Sequence, residues 1–200
     1  MAADRLDEVL DAAYDCLTRY GVRRTTMDDI ATAMGVSRSA VYQYVRNKDD
    51  AFRRLAVRLH TEALERARTA ADQDAPCPSR IRGVLAAKLD LVLSLTGPSP
   101  HTAELLDHRA RSFGGICSTF TADLRSLLID LFTEAGTADG IEPGEAADIT
   151  IALVTGLESV ADGGRLFRPA ADALLSGLLA LPAASHWPTA GAHARRKGEP

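Results

Sequence analysis

The chain has 200 residues, 46% hydrophobic and 25% charged, with a net charge of −4. This composition excludes wholesale disorder and suits one elongated domain or two small ones. No apolar run approaches the roughly 20 residues of a membrane span, so a cytoplasmic protein without a membrane partner is expected.

Leu6, Leu10, Ala13, Leu17 and Tyr20 recur at steps of three and four. They predict an apolar stripe on a first helix that Gly21 can close in a left-handed conformation. Thr26 followed three positions later by Asp29 is a variant of the capping box, opening a short second helix with Met27, Ile30, Ala31 and Met34 inward. Gly35 stops it, and Ser37 can cap a third helix from Ser37 to Val45 with Ala40, Val41, Tyr44 and Val45 inward. Asn47 caps a longer fourth helix, to about Ala70, that buries Phe52, Leu55, Leu59 and Ala63. From Ala71 to Ser79, two acids and two prolines break the helical pattern and mark the boundary between a head and a body.

Beyond that boundary only helices are predicted: about Ser79 to Leu95, Thr102 to Arg111, Phe113 to Ala135, Pro143 to Ala161 and Pro169 to Leu181. The fold class is therefore all-α. Residues 1–60 are expected to form a head with the start of the connecting helix, residues 61–181 a helical body, and residues 182–200 an aperiodic, disordered tail. Cys16, Cys77 and Cys117 are odd in number and far apart, signalling neither a disulfide framework nor zinc; no metal or cofactor is expected.

The net charge is unevenly divided. Between Gly21 and His60, eight Lys or Arg face four Asp, a net of +4 that leaves −8 for the remainder. A phosphate senses charge within about 10 Å, so a basic head on an acidic body is compatible with DNA, although an ordinary solvated face has the same signature.

A helix-turn-helix crosses two short helices steeply and needs a small residue at the contact and a glycine in the turn. Ala31 and Gly35 supply them, and Ile30, Met34, Val36, Val41 and Tyr44 fall at the matching apolar offsets. A helical hairpin with the same pattern is the bland alternative. In order, Tyr20-Gly21, Thr25 to Ala31, Met34 to Ser37, Val41 to Val45 and Asn47 to Asp50 resemble the signature of the tetracycline-repressor (TetR) family. The likeness covers about the first 60 residues; Val45 departs from it, standing where the family usually places an aromatic residue.

This resemblance implies a dimeric, ligand-responsive regulator of transcription, not an enzyme, that binds a palindromic DNA operator as a repressor. A third helix in the major groove would place Arg38, Ser39 and Gln43 against base edges, with Ser37 at its N-terminus. The resemblance gives Tyr42 and Tyr44 to phosphates, although Tyr44 is equally a core position. Thr26 and Lys48, at the starts of helices two and four, would grip the DNA backbone. It also implies a four-helix interface between two copies, from Ala152, Leu153, Gly156, Leu157 and Val160 with Leu174, Gly177 and Leu178; the bland alternative is that both stripes pack inside one copy. An effector of unknown identity would lie among Leu89, Leu93, Leu105, His108, Arg109, Phe113, Phe120 and Leu124, most of which also read as plain core. Two rivals are a small helical enzyme using His108 with a carboxylate and an architectural DNA binder without effector. The first lacks a nucleophile set, and the second has no need of the helical body.

Overall fold

The computed structural model describes residues 2–96 and 114–180. The expected helix from Thr102 to Arg111 and the tail 182–200 lie outside them, as do Leu105, His108, Arg109 and Phe113. Among the described residues the chain is helical throughout: α1 (Ala2–Arg24), α2 (Met27–Ala33), α3 (Arg38–Val41), α4 (Lys48–Ala71), α5 (Cys77–Thr96), α6 (Gly114–Ala135), α7 (Pro143–Leu157) and α8 (Gly163–Leu178).

Helix α1 buries Leu10, Ala13 and Leu17 against α2 and α4, but Tyr20, expected on the same stripe, is 44% exposed. The reason is local. Gly21 departs from helical geometry with φ 79° and ψ 166°, which turns the chain ahead of Thr25. The buried Thr25 hydroxyl fixes that turn by donating to the Gly21 and Cys16 carbonyls at 2.8 and 3.2 Å.

Helix α4 is the spine. It contacts α1 on one side and α5 and α6 on the other, and runs unbroken past residue 60, so head and body share one continuous element. Phe52 and Leu55 fill the head side and Ala63 and Ala67 the body side, all within a single buried core. Against α5 the approach is close: a Cβ at Gly83 would come within 2.7 Å of the Ala70 Cβ.

The last two helices differ from expectation. Helix α7 ends at Leu157 rather than Ala161, because Ser159 and Val160 bond back to Gly156 and Leu157 in tight three-residue turns. Helix α8 starts at Gly163, not at Pro169, which lies inside it. Gly163 packs where a Cβ would sit 2.1 Å from the Leu157 carbonyl oxygen, so the Gly163-Gly164 pair opens α8. Pro169 is exposed, which leaves the helix bond it cannot make to solvent.

Ion pairs between distant segments join the body helices. Arg80 of α5 pairs with Glu134 of α6 at 2.6 Å, Arg125 of α6 holds both carboxylate oxygens of Asp148 of α7 at 2.6 and 2.9 Å, and the largely buried Lys88 meets Glu158.

Candidate nucleic-acid interface

The interface is built from caps. Thr26 is the N-cap of α2: its hydroxyl accepts from the Asp29 amide at 3.2 Å while Asp29 takes the Thr26 amide at 2.8 Å, the reciprocal bonds of a capping box. The helix ends in a Schellman motif, with Val36 N–H on the Ala31 carbonyl at 3.0 Å and Gly35 N–H on Thr32 at 3.1 Å. Gly35 holds φ 66°, a conformation other residues adopt only with strain. Ser37 then caps α3, accepting from the Ala40 amide at 3.3 Å.

As an α-helix, α3 is shorter than expected, spanning Arg38–Val41 rather than Ser37 to Val45. Gln43 and Tyr44 bond back only three residues, to Ala40 and Val41, so the chain tightens after Val41 while keeping one inward side. Val41 and Val45 are buried, Ala40 and Tyr44 half-buried, and Ser37, Arg38, Ser39, Tyr42 and Gln43 exposed. Small Ala31 and turning Gly35 thus hold two short helices with the outward side of α3 open to a partner.

Arg38 has partners within the head. Its guanidinium donates to Asp28 of α2 at 3.2 Å and to the Tyr42 hydroxyl at 3.0 Å, and lies 5.5 Å from the Tyr42 ring centre. Lys48 also departs from a purely surface role, its ammonium donating to the Val22 and Arg23 carbonyls at 3.0 and 3.2 Å and tying the start of α4 to the end of α1. Asn47 caps α4 through the Asp50 amide at 2.8 Å, and Asp50 in turn accepts from the Arg46 amide at 3.0 Å. That backbone bond, then Arg54, holds the Asp50 carboxyl below its ordinary pKa.

A second feature is a cleft of about 540 Å³ between α4 and α6. Arg53, Val57, His60, Thr61 and Leu64 line it from α4, and Gly115, Ile116, Thr119, Phe120 and Asp123 from α6. The two helices run in the same direction: His60 meets Phe120 edge to face at 5.1 Å, and Arg80 bridges the Ala71 carbonyl and Glu134 near their ends. Arg53 therefore belongs to the Gly115 end and Asp123 to the Leu64 end. His60 is buried, and its Nδ1 donates to the Ala56 carbonyl at 2.7 Å.

Of the expected effector residues within the described segments, Phe120 lines this cleft. Leu89 and Leu124 lie in the closed core and Leu93 is half-buried on α5. The α4 contribution escaped the sequence reading, which followed the stripe through Phe52, Leu55, Leu59 and Ala63. A second stripe through Arg53, Val57, His60 and Leu64 was the available signal.

On α7 and α8, Ala152, Gly156, Val160 and Gly177 are exposed, and Leu153 and Leu174 half-buried. Leu157 and Leu178, expected on the same outward face, instead point into the core at 8% and 5% exposure. Each falls on the side where α7 and α8 pack on the rest of the body. A Cβ at Gly156 or Gly177 meets nothing within 4 Å, so neither glycine is required by packing inside one protomer.

Residues 9–55 match the family of bacterial regulatory proteins, tetR family. The HTH-type transcriptional regulator TtgR of Pseudomonas putida is 28% identical over 110 residues, 55% of this chain and 52% of that one. SmeT, the repressor of the Stenotrophomonas maltophilia multidrug efflux pump SmeDEF, superposes with a TM-score of 0.64 over 88% of this chain and 90% of its own at 19% identity. A transcriptional regulator of the TetR/AcrR family from Thermobifida fusca does so with a TM-score of 0.61 over 87% and 98%, at 20% identity. At those identities the solved structures share the fold. The chain spans about half the length of the curated relatives it matches. The relatives are transcriptional regulators, not enzymes, and among the described residues no helix is long and apolar enough to cross a membrane.

Proposed function

We propose that this chain, whose residues 9–55 match the tetR family of bacterial regulatory proteins, acts as a member of that family: a dimeric repressor that holds a palindromic DNA operator and is released by a small molecule. The observation that carries this reading is the capped α2–turn–α3 unit, with Val41 and Val45 anchored in the core and Ser39, Gln43 and Arg38 presented outward. Arginine pairs bidentately with guanine and glutamine with adenine, so this surface has the donors and acceptors for direct base readout. Thr26 and Ser37 cap the N-termini of α2 and α3, whose first-turn amides would attract phosphate, and Tyr42 would add a hydroxyl. Lys48 fits the interface as a brace that positions α4, with its carbonyl partners exchangeable for a phosphate.

One head reads few base pairs, which argues for a two-fold pair. Gly156 and Gly177 on an outward apolar face support α7 and α8 as the surface that joins the copies, since small residues let helices approach closely. The cleft between α4 and α6 suits an effector, because α4 is also packed on the head: occupancy there would shift the heads away from the spacing of about 34–36 Å between successive major grooves. SmeT has been solved in complex with triclosan, an instance of a small molecule bound by a protein of this fold. A thousandfold release corresponds to about 4 kcal/mol of preference for the DNA-incompetent state, and DNA must weaken the ligand equally.

The test is selection of bound sequences from a random DNA pool by the full-length protein, followed by footprinting. Two inverted half-sites are expected; enrichment without sequence preference would overturn the reading.

A further inference from the structure

Two cavities adjoin along α4. Besides the α4–α6 cleft, a groove of about 470 Å³ lies between α4 and α1, with Leu6, Leu10 and Val57 among its lining residues. Arg53 and Val57 line both, so the cavities flank a single ridge and together cross α4 from head to body.

The charges in this trough do not balance. The α1–α4 groove contains Arg46, Arg53, Arg54 and Arg58 with only Asp7 and Asp50. Asp50 is taken by Arg54 at 3.2 Å, and Arg58 is taken by Asp7 at 3.6 Å and Asp11 at 2.6 Å. Arg46 and Arg53 make no close ion pair among the described residues: Arg46 acts on Asp50 only at longer range, and Arg53 stands beside the apolar walls with no carboxylate of its own. In the α4–α6 cleft the one carboxylate among the described residues is Asp123, at the Leu64 end. Leu64 lies about 16 Å along α4 from Arg53 at 1.5 Å per residue. Between these ends Val57, Ile116 and Phe120 give an apolar wall.

We propose that this trough binds an amphipathic organic anion, its acidic group at Arg53 and Arg46 and its apolar portion in the α4–α6 cleft. The proposal rests on the reading of that cleft as the effector site and names the class of molecule it takes. Guanidinium offers a carboxylate two parallel donors, and neutralising Arg53 while filling the cleft makes contact with α1, α4 and α6 at once. A ligand so placed bears directly on the angle between head and body.

The experiment is calorimetry on the full-length protein with three probes of equal chain length below micelle-forming concentrations: dodecanoate, dodecanol and dodecyltrimethylammonium. Dodecanoate should bind at least about tenfold more tightly than dodecanol, the increment a charge-assisted pair supplies. Arg53→Gln should erase that preference and Arg53→Lys keep part of it. Gly115→Phe should weaken every probe, because a Cβ there meets nothing within 4 Å and the ring would occupy the cleft. Equal or cation-favouring affinities that still respond to Gly115→Phe would overturn the anion while leaving the cleft as effector site. If Arg53→Gln weakens DNA binding and leaves dodecanoate unchanged, the guanidinium serves phosphate and the proposal falls. Absence of any Gly115-sensitive binding would remove both readings.

Discussion

Between Thr25 and Asp50 nearly every turn is closed by a side chain bonded to backbone a few residues away, whereas beyond Ala71 the helices are joined by ion pairs spanning 23 to 90 residues of chain. The head is specified locally and the body by distant partners. Local specification suits a surface whose side chains must be held in register; distant pairs, most with one exposed member, suit an assembly that can shift around a cleft. The two meet in α4, whose Phe52 and Ala67 belong to one core.

The largest expected effect tests that shared core. Phe52 is 1% exposed, and Phe52→Ala should cost about 3–5 kcal/mol. Hydrogen exchange should show head and body amides losing protection together. Loss confined to the head would separate the regions more sharply than the common core implies.

Base readout comes next. Arg38→Ala and Gln43→Ala should each relax discrimination at particular bases by about ten- to a hundredfold, measured by binding to operator variants. Asp28→Ala, which removes one of Arg38's two partners without touching α3, should change preference at the Arg38 base alone; an unchanged profile would show that the Asp28 bond does not organise the reader.

Gly156→Ala and Gly177→Ala sharpen the comparison from the body side. Since a Cβ fits each protomer, helix propensity should raise protomer stability by up to about 1 kcal/mol per site while dimer dissociation increases in sedimentation equilibrium. Lys48→Ala should lower stability by about 1 kcal/mol through its two lost carbonyl bonds. A fall of about one in the slope of DNA affinity against salt would instead assign Lys48 to phosphate.

The smallest effect is in acid. The Arg125 hydrogen bond lowers the Asp148 pKa, as the Arg46 amide lowers that of Asp50. A carboxyl depressed in the folded state stabilises it above the unfolded value, about 3.9, and that stability is lost as pH falls through the folded value. Denaturant melts of Asp148→Asn should therefore differ from the parent at neutral pH and converge with it below about pH 4. A constant difference across that window would assign the effect to packing.

The head could be read from the chain alone because its determinants are short-range: Thr26 with Asp29, Gly35, Ser37 and Asn47 each act within a few residues, and local hydrogen bonds decide where helices start and stop. Even there, tertiary packing drew Lys48 onto the end of α1 and Arg38 onto Asp28, partners 26 and 10 residues away. In the body the sequence announced helices through apolar periodicity, but Gly163-Gly164 reads equally as a break or a start, and contact with Leu157 decided for the start. Periodicity also cannot say which of two stripes faces a neighbour. That is why Leu157 and Leu178 turned inward and the Arg53–Leu64 face of α4 became a cavity wall: the side a helix buries depends on the helices packed around it.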